Sequence, residues 1–417
     1  MRIRLESRVA KLTVLLILGG LLLPYSLVAL SRYRSARLAE HTDKPSIEQA
    51  VLMQPGDAEY RERLGHYALY VDQDANKALQ HYRIAAALNP YSARNWLGIA
   101  ESELILGDDQ AALFAVNQAL TVDPRTPSVA WEAGNLLVTI GQVDAALQQF
   151  RFVLANDPAM LIQGLQLISR LEASPSKAAQ IALPPDPLVH FAYINLLAQS
   201  GQLKEAKEVW PVMIGLQKPF DPKQSFFFLG VLIRSGDAAS AVQLWNDMAK
   251  VNPEIARLQK PGNLIQNSGF EYPILNGGFD WTYIPTPEVD VKNETSDSHD
   301  GARSLFVTFQ GRQRTNDVGL HQLVVLEPNA HYHFSGYMKS DLQSANGVRF
   351  TLVDLKNQAH LFDTNESVSD HQWKEYTADF TTSADTGLAV ILMGRSGLTL
   401  IKGNLLVDDL RLEKVNR

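Results

Sequence analysis

Residues able to do acid–base or nucleophilic chemistry are present in this chain, but not at the spacings such chemistry needs. Cysteine is absent, which removes a thiol nucleophile, thiolate metal sites and disulfides. There is no G-x-S-x-G elbow, no phosphate-cradling P-loop and no H-E-x-x-H zinc helix. Asp408 and Asp409 are an adjacent carboxylate pair. Neighbours along a strand point to opposite faces, so the two cannot serve as acid and base on one bond. His321, His331, His333, His360 and His371 fall in the C-terminal third. Of these, His331 and His333 share a strand face, and two imidazoles without a third ligand read as surface residues. The expectation is a protein that binds and does not catalyse, with no catalytic residues.

The elements that carry these residues belong to more than one body. At 417 residues the chain is too long for one ordinary core. A hydrophobic content of 46% with 20% charged residues describes globular units, not a disordered chain. Charge is unevenly spread: residues 1–44 carry a net +5, so the rest must be acidic to reach −7 overall. An acidic body excludes nucleic acid as the main partner, because phosphate binding needs a basic face.

The basic N-terminus brackets an uncharged run from Leu12 to Leu30, 19 residues long. As a helix it spans roughly 28 Å, close to the hydrocarbon thickness of a bilayer. It is longer than the apolar region of a cleavable signal and is followed by Arg32, Arg34 and Arg37, not by a small-residue cleavage site. The reading is an uncleaved signal-anchor through residues 12–30, kinked or tilted at Pro24, with residues 1–11 as a cytoplasmic tail and 31–46 as a linker. The short tail is the easier side to leave inside. That places the bulk of the chain in a bacterial periplasm, on a single-pass inner-membrane anchor.

A fixed period comes next. A-L-N-P ending at Pro90, T-V-D-P at Pro124 and A-N-D-P at Pro158 recur every 34 residues, with Gly107 and Gly141 in step. Each unit reads as helix, glycine turn, helix, proline stop. The pattern of Trp or Leu, small residue, Ala, aromatic and Pro resembles the tetratricopeptide-repeat (TPR) family over 57–90, 93–124 and 127–158. It breaks down through 159–187, around one helix at Leu161–Leu171, and returns in two looser units marked by Trp210 and Trp245. The all-α repeat domain is set at 47–258. Such pairs bury their faces only by stacking, and the resemblance implies a concave groove that holds a protein partner. Tyr82, Trp96, Trp131, Phe150, Trp210 and Trp245 are read as core; Asn95 and Asn135 are the groove candidates.

At Lys260-Pro261-Gly262 helical spacing stops, and short alternating segments separated by Gly, Asn, Asp and Pro begin. Seven to nine strands in 263–417 suit an all-β jelly-roll sandwich. The ordered landmarks are N263-L-I-Q-N-S-G-F-E271, Trp281, D300-G-A-R-S-L-F-V, L320-H-Q-L-V-V-L-E-P, Y332-H-F-S-G-Y-M-K, W373-K-E-Y-T-A-D-F and V407-D-D-L-R-L. They resemble the galactose-binding-like jelly rolls, particularly carbohydrate-binding modules of families four and nine.

Two sites are implied by that resemblance. One is a structural Ca²⁺ held by Glu271 with Asp408 or Asp409, hard oxygen ligands of the kind calcium takes. The other is a glycan face using Trp281, Tyr283, His321, Tyr337 and Arg349, where rings cover apolar sugar surface and polar groups satisfy hydroxyls. The expected function is a membrane-anchored scaffold in surface-polysaccharide synthesis or export, its repeats recruiting a protein and its sandwich touching glycan. The alternatives are a protein-only assembly factor with a structural sandwich, and a glycan-active enzyme.

Overall fold

The computed structural model describes residues 8–41, 43–171, 174–294 and 297–415. Most of the predicted N-terminal tail, residues 1–7, lies outside the described residues. Helix α1 (Arg8–Ala39) contains a segment, Lys11–Ala39, long and apolar enough to cross a membrane. Leu12, Leu16, Leu21 and Leu23 are all exposed on it. Pro24 lies inside the helix without ending it.

The segment read as a linker is not free chain. The helix continues to Ala39, and α2 (Lys44–Met53) begins after an Asp43 cap on Ser46 N–H. Ser35 and Ala39 are buried. Ala39 packs with Ile47, Ala50 and Val51 of α2 and with Tyr60 and Leu64 beyond it. The apolar period of α1 thus serves two solvents: leucines outward along its first half, small residues against protein in its last turns.

The chain divides into two compact units, one ending at Pro184 and the other starting at Pro185. In the first, three helix pairs follow the 34-residue period: α3 (Ala58–Tyr70) with α4 (Ala75–Leu88), α5 (Ala93–Leu106) with α6 (Asp109–Val122), and α7 (Pro127–Thr139) with α8 (Val143–Asn156). Glycine explains both the turn and the close approach. Gly107 and Gly141 sit at φ +85° and +82° between the helices of a pair, a region that L side chains avoid. Gly134 lies under Phe150, where a Cβ would come within 2.5 Å of the ring. Phe150 is wholly buried there, worth roughly 1.5–3 kcal/mol of transfer free energy.

Three sequence expectations change in this unit. Trp96 and Trp131 are only partly buried, whereas Tyr82 and Phe150 are core. Asn95 is buried, its amide donating to the Asn89 carbonyl, so it does not face a groove. The disrupted stretch holds two short helices, α9 (Leu161–Ile168) and α10 (Pro175–Ala182), not one. Pro175 starts the second instead of breaking it, because its missing N–H costs nothing in the first turn, and Ser174 caps Lys177 N–H.

The second unit opens with α11 (Pro187–Gln199) and α12 (Leu203–Ile214), then α13 (Phe226–Arg234), α14 (Ala238–Val251) and a last turn α15 (Pro253–Ala256). Trp210 and Trp245 are buried in these pairs. The antiparallel sandwich follows: β1 (Thr282–Tyr283), β2 (Val289–Glu294), β3 (Ser304–Val325), β4 (His331–Gln343), β5 (Arg349–Asp354), β6 (His360–Asp363), β7 (Lys374–Thr381) and β8 (Leu388–Val415). The long strands β3 and β8 each pass from one layer to the other. Bulges between Gln310 and His321 mark the crossing. One layer runs β1, the second half of β3, the first half of β8, β5, β6. The other runs β2, the first half of β3, the second half of β8, β4, β7. Phe309, Phe334, Phe350, Ile391 and Leu405 fill the space between them.

Candidate functional site

Strand alternation decides which side chains of the first layer look outward. Val318, Leu320, Gln322 and Val324 of β3 turn into the core, leaving His321 and Leu323 on the other face. Phe350 and Leu352 of β5 are core, leaving Arg349 and Thr351 on the other face, where Thr351 is itself covered. The register then places Thr282, His321, Leu392, Thr351 and Asp363 side by side in one row across five strands. In the adjoining row Asp317 and Arg349 flank Gly394.

Within this face a hollow of ≈ 300 Å³ is lined by Ile284, Thr286, Asp317, Gly319, His321, Val390 and Leu392. Burial pushes the His321 imidazole below its usual range, against the pull of Asp317, so at neutral pH it is an uncharged ring with one donor and one acceptor nitrogen. Arg349 lies 3.3 Å from Asp363. Thr351 Oγ1 donates to the same carboxylate at 2.7 Å, and His360 Nδ1 is 3.0 Å from it. Burial works to raise the Asp363 carboxyl, but these hydrogen bonds and the guanidinium hold it below the ordinary value. Aliphatic floor with polar groups at its rim is suited to a neutral polyhydroxylated ligand.

The five residues predicted for a glycan face do not converge. His321 and Arg349 share the outer face just described, with Tyr283 at its edge. Tyr283 is half-buried and its hydroxyl donates to the Val289 carbonyl at 2.6 Å. Trp281 is wholly buried, its ring 5.4 Å from Phe270, and offers no face to a ligand. Tyr337 belongs to the other layer. His299 stacks on it at 3.6 Å, with Trp373 edge-on to His299 at 5.9 Å. Asp317, Thr351, Asp363 and Leu392 were not singled out from the sequence. Alternation alone could mark them as outward, but their meeting depends on register between strands distant in the chain.

The carboxylates predicted for calcium do meet, around the loop 299–303. Glu271 Oε1 accepts N–H bonds from Ala302 and Arg303 at 2.8 and 3.2 Å. Buried Asp408 accepts from His299 and Asp300 through Oδ2 at 2.8 and 3.0 Å, and from Asp409 N–H through Oδ1 at 2.7 Å. Asp409 faces Arg411 at 3.4 Å. Among the described residues no group of three or more metal-ligating side chains gathers. Glu271 Oε1 and both Asp408 oxygens are aimed at backbone donors and tie the loop to the sandwich. Gly301, at φ +67°, makes room for this: a Cβ there would lie 2.0 Å from Glu271 Oε1.

Residues 262–396 match the family model of a carbohydrate binding domain. The sandwich carries that domain's sequence pattern. Two curated proteins resemble parts of the chain. One is human general transcription factor 3C polypeptide 3, 33% identical over 87 residues, which is 21% of this chain and 10% of that protein. The other is cellulose synthase 1 operon protein C of Komagataeibacter xylinus, 30% identical over 122 residues, 26% of this chain and 9% of that protein. The chain thus spans about a tenth of the length of the curated relatives it matches. Among solved structures, one titled "CBM4 structure and function" is 15% identical and covers 36% of this chain and 99% of its own, with a TM-score of 0.28. The chain joins helix pairs on a 34-residue period to a sandwich that matches a carbohydrate-binding domain model over 262–396.

On the second layer of the sandwich, the two histidines of the H-x-H pair are occupied separately. His331 Nδ1 is 2.7 Å from Thr381 Oγ1, and His333 Nδ1 is 2.9 Å from Asp379.

Proposed function

We propose that the chain is a membrane-anchored, non-catalytic accessory protein of surface-polysaccharide synthesis or export, with its bulk on the periplasmic side of a bacterial inner membrane. The repeats hold a protein partner, and the outer face bearing His321 and Arg349 holds glycan. The carbohydrate-binding-domain match over 262–396 carries this reading. It is supported by the partial likeness to an operon protein of cellulose synthase and by an N-terminal helix of membrane-spanning length. A neutral imidazole, a guanidinium and the aliphatic pair Val390 and Leu392 supply the donors, acceptors and apolar contact that a sugar ring needs.

One observation favours the protein-only assembly factor instead. Trp281 is core, so the outer face lacks a tryptophan platform. Affinity electrophoresis of the full chain in detergent, through gels containing cellulose derivatives, xylan or β-glucan, separates the two. Retardation by at least one polysaccharide, reduced about tenfold in the His321→Ala/Arg349→Ala variant, is expected. Unretarded migration through all of them by a folded chain would leave the assembly factor standing.

A further inference from the structure

The concave wall of the first unit has a chemistry of its own. It is built from the first helix of successive pairs, α3, α5 and α7. On α3, Glu62, His66 and Tyr70 lie four residues apart, on one helical line. Together with Arg94 and Glu101 of α5 and Trp131, Glu132 and Asn135 of α7, they line a cavity of ≈ 510 Å³. A second cavity of ≈ 450 Å³ shares Glu62, His66 and Arg94 and continues along Ile47, Tyr67 and Val71. The two form one groove with an acidic middle and an end of mixed character, where Ile47, Tyr67 and Val71 stand beside His41 and the Glu59–Arg63 pair.

Three carboxylates face a single guanidinium in that middle. Tyr70 donates its hydroxyl to Glu101. None of Glu62, Glu101, Glu132 and Arg94 forms an ion pair among the described residues, whereas Glu59 and Arg63 of α3, on the wall of the second cavity, pair with each other. Loss of water in the groove raises the carboxyls of Glu62 and Glu132, with Arg94 opposing it in both. A concave wall that desolvates carboxylates without pairing them attracts a cation.

We propose that this groove takes an extended segment of a partner protein bearing lysine or arginine, its cationic head among Glu62, Glu101 and Glu132 and its stem along the Trp131 ring. The assignment rests on the scaffold reading above and narrows the partner to a basic peptide. Recognition is then short-ranged and salt-sensitive, since the three carboxylates are partly open to solvent.

The test uses the purified full chain in detergent and three fluorescent ten-residue peptides of matched length: one with alternating lysines, one with alternating glutamates and one uncharged. Fluorescence anisotropy is expected to show binding of the lysine peptide alone, weakened about tenfold in Glu62→Gln/Glu132→Gln and unchanged in the exposed-strand control Glu413→Gln. Should the double variant fail to fold, Glu132→Gln alone, at an exposed position, is expected to weaken binding about threefold. Equal or stronger binding of the uncharged or acidic peptide overturns the proposal, as does unchanged affinity in a folded variant. Polysaccharide retardation is measured on the same samples, so failure of the groove assignment is read apart from failure of the glycan reading.

Discussion

Asp280 is a buried carboxylate whose charged form the fold disfavours. It is buried beside Trp281, with one oxygen accepting Leu275 N–H at 2.6 Å and the other lacking a partner among the described residues. Burial pushes its pKa up to about 6, against the backbone N–H groups of Leu275 and Trp281. An unfolded aspartate titrates near 3.9. Between those values the folded protein holds the proton more tightly, so stability is fullest below about pH 4 and falls as pH rises to 6. Asp280→Asn removes the charge and keeps an acceptor. Its melting temperature is expected to exceed that of the parent at pH 7.5, by the equivalent of roughly 2–3 kcal/mol, and to converge on it at about pH 3.5. Thermal melts followed by tryptophan fluorescence check this; a difference that stays constant with pH would rule it out. Nothing in the sequence separates Asp280 from other aspartates, because its burial is created by the loop 275–283 folding over it. Trp281 shows the same limit. A tryptophan is equally suited to a core and to a sugar platform, and only packing against Phe270 decides.

At the scale of elements, the last helix pairs and the sandwich are joined by more than a linker. The Trp245 ring of α14 lies 6.0 Å from Phe279, and its indole N–H donates to Gln266 Oε1 at 3.2 Å. Gln266 in turn exchanges two hydrogen bonds with buried Gln322 of β3, at 2.8 and 2.9 Å. Gly277 and Gly278 let the chain approach, since a Cβ on either would meet the Phe226 or Trp245 ring at 2.4 Å. Trp245→Ala is expected to cost about 3–5 kcal/mol and to expose residues 252–263 to limited proteolysis, which mass spectrometry of the fragments would locate. A parent-like cleavage pattern would show that the junction does not depend on this ring. The composition change at Lys260 was legible as a boundary between textures. That the two textures share a packed junction was not, because the contacts join residues that no period relates.

For the whole molecule the decisive element is α1, which is both a membrane-length helix and part of a packed protein surface. Removing residues 1–30 is expected to move the chain from the membrane pellet to the soluble fraction with the melting of the repeats unchanged. Removing residues 1–43 is expected to lower that melting by several degrees, because Ser35 and Ala39 leave α2 and α3. Pelleting of the shorter deletion as completely as the full chain would sink the anchor reading, and identical melts of the two deletions would sink the packing argument.

The sequence by itself determined the order of parts: an apolar span, a 34-residue helical period, and alternating strands in the last third. Each of these is a repeat or a run, written locally and enforced by the geometry of helix and strand. It also held the carbohydrate-binding pattern, as landmarks in order. Only the tertiary structure decided which residues of that pattern meet. It buried Trp281, sent Tyr337 to the opposite layer and brought Asp317, Thr351 and Asp363 beside His321 and Arg349. It also turned the predicted metal carboxylates onto backbone N–H groups. The reason is register. A strand's own residues fix which side chains face outward, but its neighbours, placed by bulges and long crossings elsewhere in the chain, fix what stands next to them.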